Sequence, residues 1–144
     1  MLLIFNEFIK LTSGRLRPDF LDRCQPINNI CTGRSSLVID GRKSFFSGHT
    51  STSFYASTFL VLWMCESGWK LLGFRSGKNV TPSFVIICSM LPYFLSSYIG
   101  ISRYFIITRT QQYIHFPSDV FVGALMGVFF AVLIYKYHVR YFNF

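Results

Sequence analysis

Three stretches of this chain carry no charged residue: 50–65, 79–102 and 120–135. Phe, Leu, Ile and Val stand in them without a repeating period, so helices built from them are apolar on every face. Such a helix lies buried in protein or dissolved in lipid. A bilayer span takes about 20 apolar residues, within a range of about 17–25. The middle run is long enough by itself. The outer two reach that length by beginning in the polar motif ahead of each. The last run also contains Gly123-Ala124-Leu125-Met126-Gly127, small residues four apart, a spacing that lets helices approach closely in lipid.

Composition points the same way. The chain is 51% hydrophobic and 19% aromatic, and only 14% of it is charged, against about 25% in an average globular protein. Residues 1–9 read as the end of a further apolar helix, with Glu7 its one charge. They lack a basic leader and a small-residue cleavage site, so they are not a signal peptide. Residues 10–46 are loop-like, rich in charge, Pro, Gly, Asn and Ser. The expected fold is all-α: a single integral membrane domain over 1–144, with about three full spanning helices plus the end of another.

Alternating spans put residues 10–49 and 103–119 on one membrane side, and 66–81 and 136–144 on the other. The sequon Asn79-Val80-Thr81 falls on the second side, taken as cytoplasmic, and no glycan is expected there. The net charge is +8, and residues 10–43 hold seven Lys or Arg against three Asp. A basic stripe interleaved with aromatics would suggest nucleic acid. Apolar runs interrupt every such stripe, so no nucleic-acid partner is expected. The positive-inside rule would make the basic face cytoplasmic. Cations gathered beside two histidines suit an anionic substrate better, which places this face in the lumen or outside the cell. Cys24 and Cys31 can pair if so; two free thiols are the equal alternative. Cys65 and Cys88 read as packing residues. His49, His115 and His138 lie apart from any Cys pair, so no metal site is expected.

Three polar clusters meet on the basic face. His115 is followed four residues later by Asp119. A neutral imidazole can attack phosphorus through one ring nitrogen when the other donates to a carboxylate. Pro117 intervenes, so the pair is expected to bridge a loop and the first turn of a helix. The plainer reading makes Ser118 or Asp119 an N-cap. His49 follows Ser47-Gly48 at the start of an apolar helix, where backbone N–H groups and the helix dipole favour an anion. It is the candidate general acid, or an incidental histidine in a capping turn. Lys10, Arg15 and Arg17 lie close together. They suit the charge that spreads over a phosphoryl group in transfer, and taken alone they suit lipid headgroups better.

Together the clusters resemble the type 2 phosphatidic acid phosphatase superfamily, in its lipid phosphate phosphatase branch. The first motif of that family is Lys, six residues, Arg-Pro; it runs here from Lys10 to Pro18. The second, Pro-Ser-Gly-His, stands as Phe46-Ser47-Gly48-His49, with its Pro replaced. The third, Ser-Arg, five residues, His, three residues, Asp, stands as Thr108-Arg109 to His115 and Asp119. The strings Gly14-Arg15-Leu16-Arg17-Pro18-Asp19-Phe20-Leu21 and Ser44-Phe45-Phe46-Ser47-Gly48-His49 also look like that branch. Ser102-Arg103 offers a second start to the third motif, six residues earlier, as though an insertion had duplicated the arginine. Spacing to His115 favours Arg109. Helix length favours Arg103, because a single helix over 81–108 would run roughly 42 Å.

The resemblance implies a six-helix fold of which this chain would be an N-terminally incomplete part. It implies metal-independent hydrolysis of a lipid phosphomonoester through a phosphohistidine, without a cofactor. His115 would be the nucleophile, Asp119 its orienting carboxylate and His49 the acid. Lys10, Arg17, Ser47, Gly48 and Arg109 would hold the phosphate. The expected partners are the bilayer and a lipid phosphate; a homo-oligomer stays open. The rival is an impaired or non-catalytic protein that binds lipid phosphates.

Overall fold

The computed structural model of the chain describes residues 1–65, 82–104 and 115–142. The sequon at 79–81 and Arg109 lie outside them. Four long helices make the body: α1 (Leu2–Ser13), α4 (Gly48–Trp63), α5 (Pro82–Tyr104) and α6 (Pro117–Phe142). Between α1 and α4 the chain makes two short helices, α2 (Phe20–Cys24) and α3 (Ser35–Asp40). A two-residue hairpin separates these, β1 (Pro26–Ile27) pairing antiparallel with β2 (Ile30–Cys31). The all-α expectation holds apart from that hairpin.

The helix ends follow local chemistry. α1 stops at Gly14, whose φ of 55° is a left-handed cap that a side chain would disfavour. α4 starts after Ser47, whose hydroxyl accepts from the Thr50 amide and from Thr50 Oγ1. α6 opens on Pro117, a residue suited to a first helical position because it has no N–H to satisfy. Among the described residues one helix is long and apolar enough to cross a membrane, Pro117–Tyr137. α4 does begin in the polar motif ahead of its apolar run, as expected, but has 16 residues. α5 has 23, with Pro92 inside it.

α6 lies alongside α4 with the same direction. Ser47 and Thr50 face Gly123, Ser51 and Tyr55 face Gly127, and Phe59 meets Tyr135 with ring centroids 5.6 Å apart. A Cβ on Gly123 would stand 2.8 Å from the Ser47 carbonyl, and one on Gly127 2.9 Å from the Tyr55 nitrogen. The small-residue spacing read from the sequence is therefore a backbone-to-backbone contact. α5 runs the opposite way along α4, held by hydroxyls. Ser57 Oγ donates to the Pro92 carbonyl at 2.9 Å and lies 2.7 Å from Ser96 Oγ, while the Tyr93 hydroxyl donates to Thr58 Oγ1 at 3.0 Å. α1 packs through Phe5 on Phe130 and Phe46.

The burial is inverted relative to a water-soluble bundle. Asn6, Ser44, Ser47, Thr50, Ser51, Ser57, Thr58 and Ser96 are buried. Ile87, Met90, Leu91 and Phe94 on α5, and Phe121, Leu125 and Phe129 on α6, are exposed. Lipid supplies no hydrophobic drive between helices, so small residues and hydrogen bonds hold such seams together. Gly127→Leu is expected to cost about 1–3 kcal/mol through overpacking and to lower the melting temperature of the detergent-solubilised protein. Leu125→Phe, on the exposed face, should leave it unchanged. Equal melting temperatures for the two variants would refute the packing described.

Candidate active site

The polar clusters gather at one end of the bundle, where α1 and α5 end and α4 and α6 begin. Asp119 is at the centre of the gathering and is 0% exposed. It occupies the third position of α6, and its Oδ2 accepts from the Phe116 amide at 3.3 Å, the return half of a capping box. Neither Ser118 nor Asp119 is the N-cap itself. Arg15 Nη1 donates to Asp119 Oδ1 at 2.7 Å, and Ser44 Oγ donates to Oδ2 at 2.5 Å. His115 precedes the helix in a bend, and its Nδ1 stands 3.8 Å from Oδ2, longer than a hydrogen bond. That nitrogen is buried and has no hydrogen-bond partner among the described residues. The loop-to-first-turn arrangement expected for the pair is the one observed.

The second helix start is tied to the first, since the Ser47 amide donates to the Asp119 carbonyl at 3.0 Å. Ser47 caps α4, which leaves Gly48 and His49 at its positive end. At Gly48 any side chain would displace the ends of two polar side chains. A Cβ would lie 2.7 Å from Asn6 Nδ2 and 3.3 Å from Lys10 Nζ. His49 is exposed at the polar end of α4, ahead of the uncharged run, with part of its ring shielded. Burial pushes its pKa below the ordinary histidine value, and the positive charges of Arg103, Lys10 and Arg17, with His115 beside it, push in the same direction. The two imidazoles and these three cations thus share one electrostatic neighbourhood.

The cations are held individually. Lys10 Nζ, beside Gly48, pairs with Glu7 at 2.8 Å. Arg17 Nη2 pairs with Asp40 at 3.1 Å, and Arg23 reaches both Asp40 at 2.9 Å and Asp19 at 2.7 Å. Burial lowers the Arg17 pKa, opposed by Asp40. Its Nε is buried without a partner among the described residues, and so is the Nε of Arg103 in the last turn of α5. Two orphaned guanidinium nitrogens at one bundle end suit an anionic ligand.

The structure therefore brings together Lys10, Arg17, Ser47, Gly48, His49, His115 and Asp119. Arg109 lies outside the described residues, whereas Arg103 stands at the site. Sequence reasoning missed Asn6, which is 3% exposed with Oδ1 unpartnered among the described residues. Its one signal was a position four before Lys10 on the same helical face. It also left Ser44 without a role. Cys24 and Cys31 are joined as a disulfide beside β2, resolving an open choice; Cys65 and Cys88 are free.

Residues 1–142 match the PAP2 superfamily. A probable diacylglycerol pyrophosphate phosphatase 1 of Schizosaccharomyces pombe is 36% identical over 90% of this chain and 47% of its own length. Diacylglycerol pyrophosphate phosphatase 1 of Saccharomyces cerevisiae is 33% identical over 92% of this chain and 46% of its own. Lipid phosphate phosphatase 1 of Arabidopsis thaliana is 35% identical over 92% and 40%. The chain thus spans less than half the length of these curated relatives. No solved structure matches it significantly. A match over residues 1–142 and relatives 33–36% identical across at least 90% of its length make one assignment: the chain belongs to the PAP2 superfamily.

Proposed function

We propose that the chain is the catalytic part of a multi-pass membrane phosphohydrolase that removes phosphate from lipids such as phosphatidate, lysophosphatidate or a sphingoid phosphate. The names of its relatives extend the class to diacylglycerol pyrophosphate. The observation that carries this reading is the convergence of His49 and His115 with Lys10, Arg17 and Arg103 beside a buried carboxylate. The Cys24–Cys31 disulfide on the same face supports an active site in the lumen or outside the cell, since disulfides persist in oxidising compartments.

In this mechanism Lys10, Arg17, the amides after Ser47 and Arg103 hold the phosphoryl oxygens. The His115 Nε2, the ring nitrogen not facing Asp119, forms a bond to phosphorus while the bond to the lipid oxygen breaks. Asp119 steadies the positive charge that develops on the ring. His49 gives its proton to the departing alkoxide. It then takes a proton from water, which displaces His115 and releases inorganic phosphate. The cations do the charge neutralisation that Mg²⁺ performs in other phosphoryl transfers, so no metal is required. In this reading Arg103 takes a third-motif role, on the strength of its orphaned Nε and its charge on His49.

Labelled phosphatidate in detergent micelles with EDTA tests the reading. Phosphate release should persist in EDTA and vanish in His115→Ala. A strict divalent-metal requirement, or full activity in His115→Ala, would sink it. Lipid binding without any release would favour a non-catalytic protein that binds lipid phosphates. Gly48→Ala would push Asn6 and Lys10 aside and should lower kcat/KM by roughly 10²-fold, the scale of a 1 Å misplacement. The pH profile follows from the cations around His49. A general acid must be protonated, and its pKa is lowered in the free enzyme. kcat/KM should therefore fall on the alkaline side at lower pH than kcat does, because bound phosphate offsets the cations. Arg103→Gln should move the kcat/KM limb to higher pH.

A further inference from the structure

Arg15 belongs to the same basic segment as Lys10 and Arg17, yet its side chain is committed elsewhere. Its Nη1 donates to Asp119 Oδ1 at 2.7 Å and to Ser118 Oγ at 3.1 Å. Its guanidinium carbon lies 4.5 Å from the centroid of the Phe116 ring and 6.0 Å from that of Phe45. Ser44 closes the other oxygen of the same carboxylate at 2.5 Å. The two residues are themselves tied, since the Ser44 amide donates to the Arg15 carbonyl at 3.0 Å. Asp119 is thus gripped on both oxygens from the loop before α4, and His115 Nδ1 waits 3.8 Å from one of them.

The geometry points to Arg15 and Ser44 as positioning residues that hold the Asp119 carboxylate charged and aimed at His115, with Arg15 not a phosphate ligand. This rests on the phosphohydrolase reading above. A buried carboxylate without donors would turn toward the nearest imidazole proton or become protonated itself. With Arg15 on Oδ1 and Ser44 on Oδ2, it remains an anion of reduced basicity. It can then stabilise the ring when the bond to phosphorus forms, without removing the ring proton beforehand. The charged groups facing it are Arg15 from the loop, His115 from the bend before α6, and Arg17 at longer range.

The full-length protein tests this through the split between kcat and KM. Arg15→Gln and Ser44→Ala should each lower kcat, Arg15→Gln by roughly 10²-fold, the scale of a displaced catalytic group. KM, and inhibition by inorganic phosphate, should stay within about twofold of the parent protein, as expected where only transition-state interactions are lost. Arg15→Lys should recover part of the rate. Arg15→Gln added to Asp119→Asn should cost nothing further, because the two residues act as one unit. Weaker phosphate inhibition with kcat unchanged would overturn the proposal and make Arg15 a phosphate ligand. Multiplied losses in the double variant would overturn it as well. Should Arg15→Gln fail to fold, Ser44→Ala carries the same test, and an unchanged kcat there overturns the proposal. A parent protein that releases no phosphate would instead defeat the underlying phosphohydrolase reading.

Discussion

A carboxylate removed from water has to be matched by donors, and the site of this protein is arranged around that requirement. Asp119 is wholly buried, and its donors come from three places in the chain: Arg15, Ser44 and the Phe116 amide. Satisfying one ion therefore fastens the loop after α1, the segment before α4 and the first turn of α6 to each other. The Ser47 amide on the Asp119 carbonyl adds a backbone link between the two helix starts. Because His49 follows Ser47 by two residues and His115 precedes Asp119 by four, the same links bring the imidazoles to one place.

The body of the bundle serves that end. Glycines let α6 lie against the α4 backbone, and hydroxyls join α4 to α5. Both seams suit a medium in which apolar side chains gain nothing by leaving the solvent. The exposed faces of α5 and α6 carry the large apolar side chains instead. A cation-rich end on a bundle with exposed apolar faces is what the proposed substrate, part anion and part lipid, would require.

Much of the site was legible in order along the chain. Lys10, Arg17, Ser47, Gly48, His49, His115 and Asp119 sit in short motifs whose spacing survives without knowledge of the fold. The partners of Asp119 were not legible, since Arg15 is 104 positions away and Ser44 is 75. No local pattern encodes contacts over such separations. Ser57, Thr58 and Ser96 gain their role only from the side-by-side packing of α4 and α5. Asn6 differs from an ordinary surface asparagine only in what it faces.

The sequence by itself determined that the chain is helical and that its histidines, cations and carboxylate stand in short motifs at the ends of apolar runs. Those properties depend on residue type and short spacing. The tertiary structure alone decided which cation answers which carboxylate: Arg15 to Asp119, Arg17 to Asp40, Lys10 to Glu7. It also decided that Cys24 meets Cys31. Three nearby cations of similar charge are interchangeable in a linear pattern. They become distinct only when packing fixes the direction each side chain can reach.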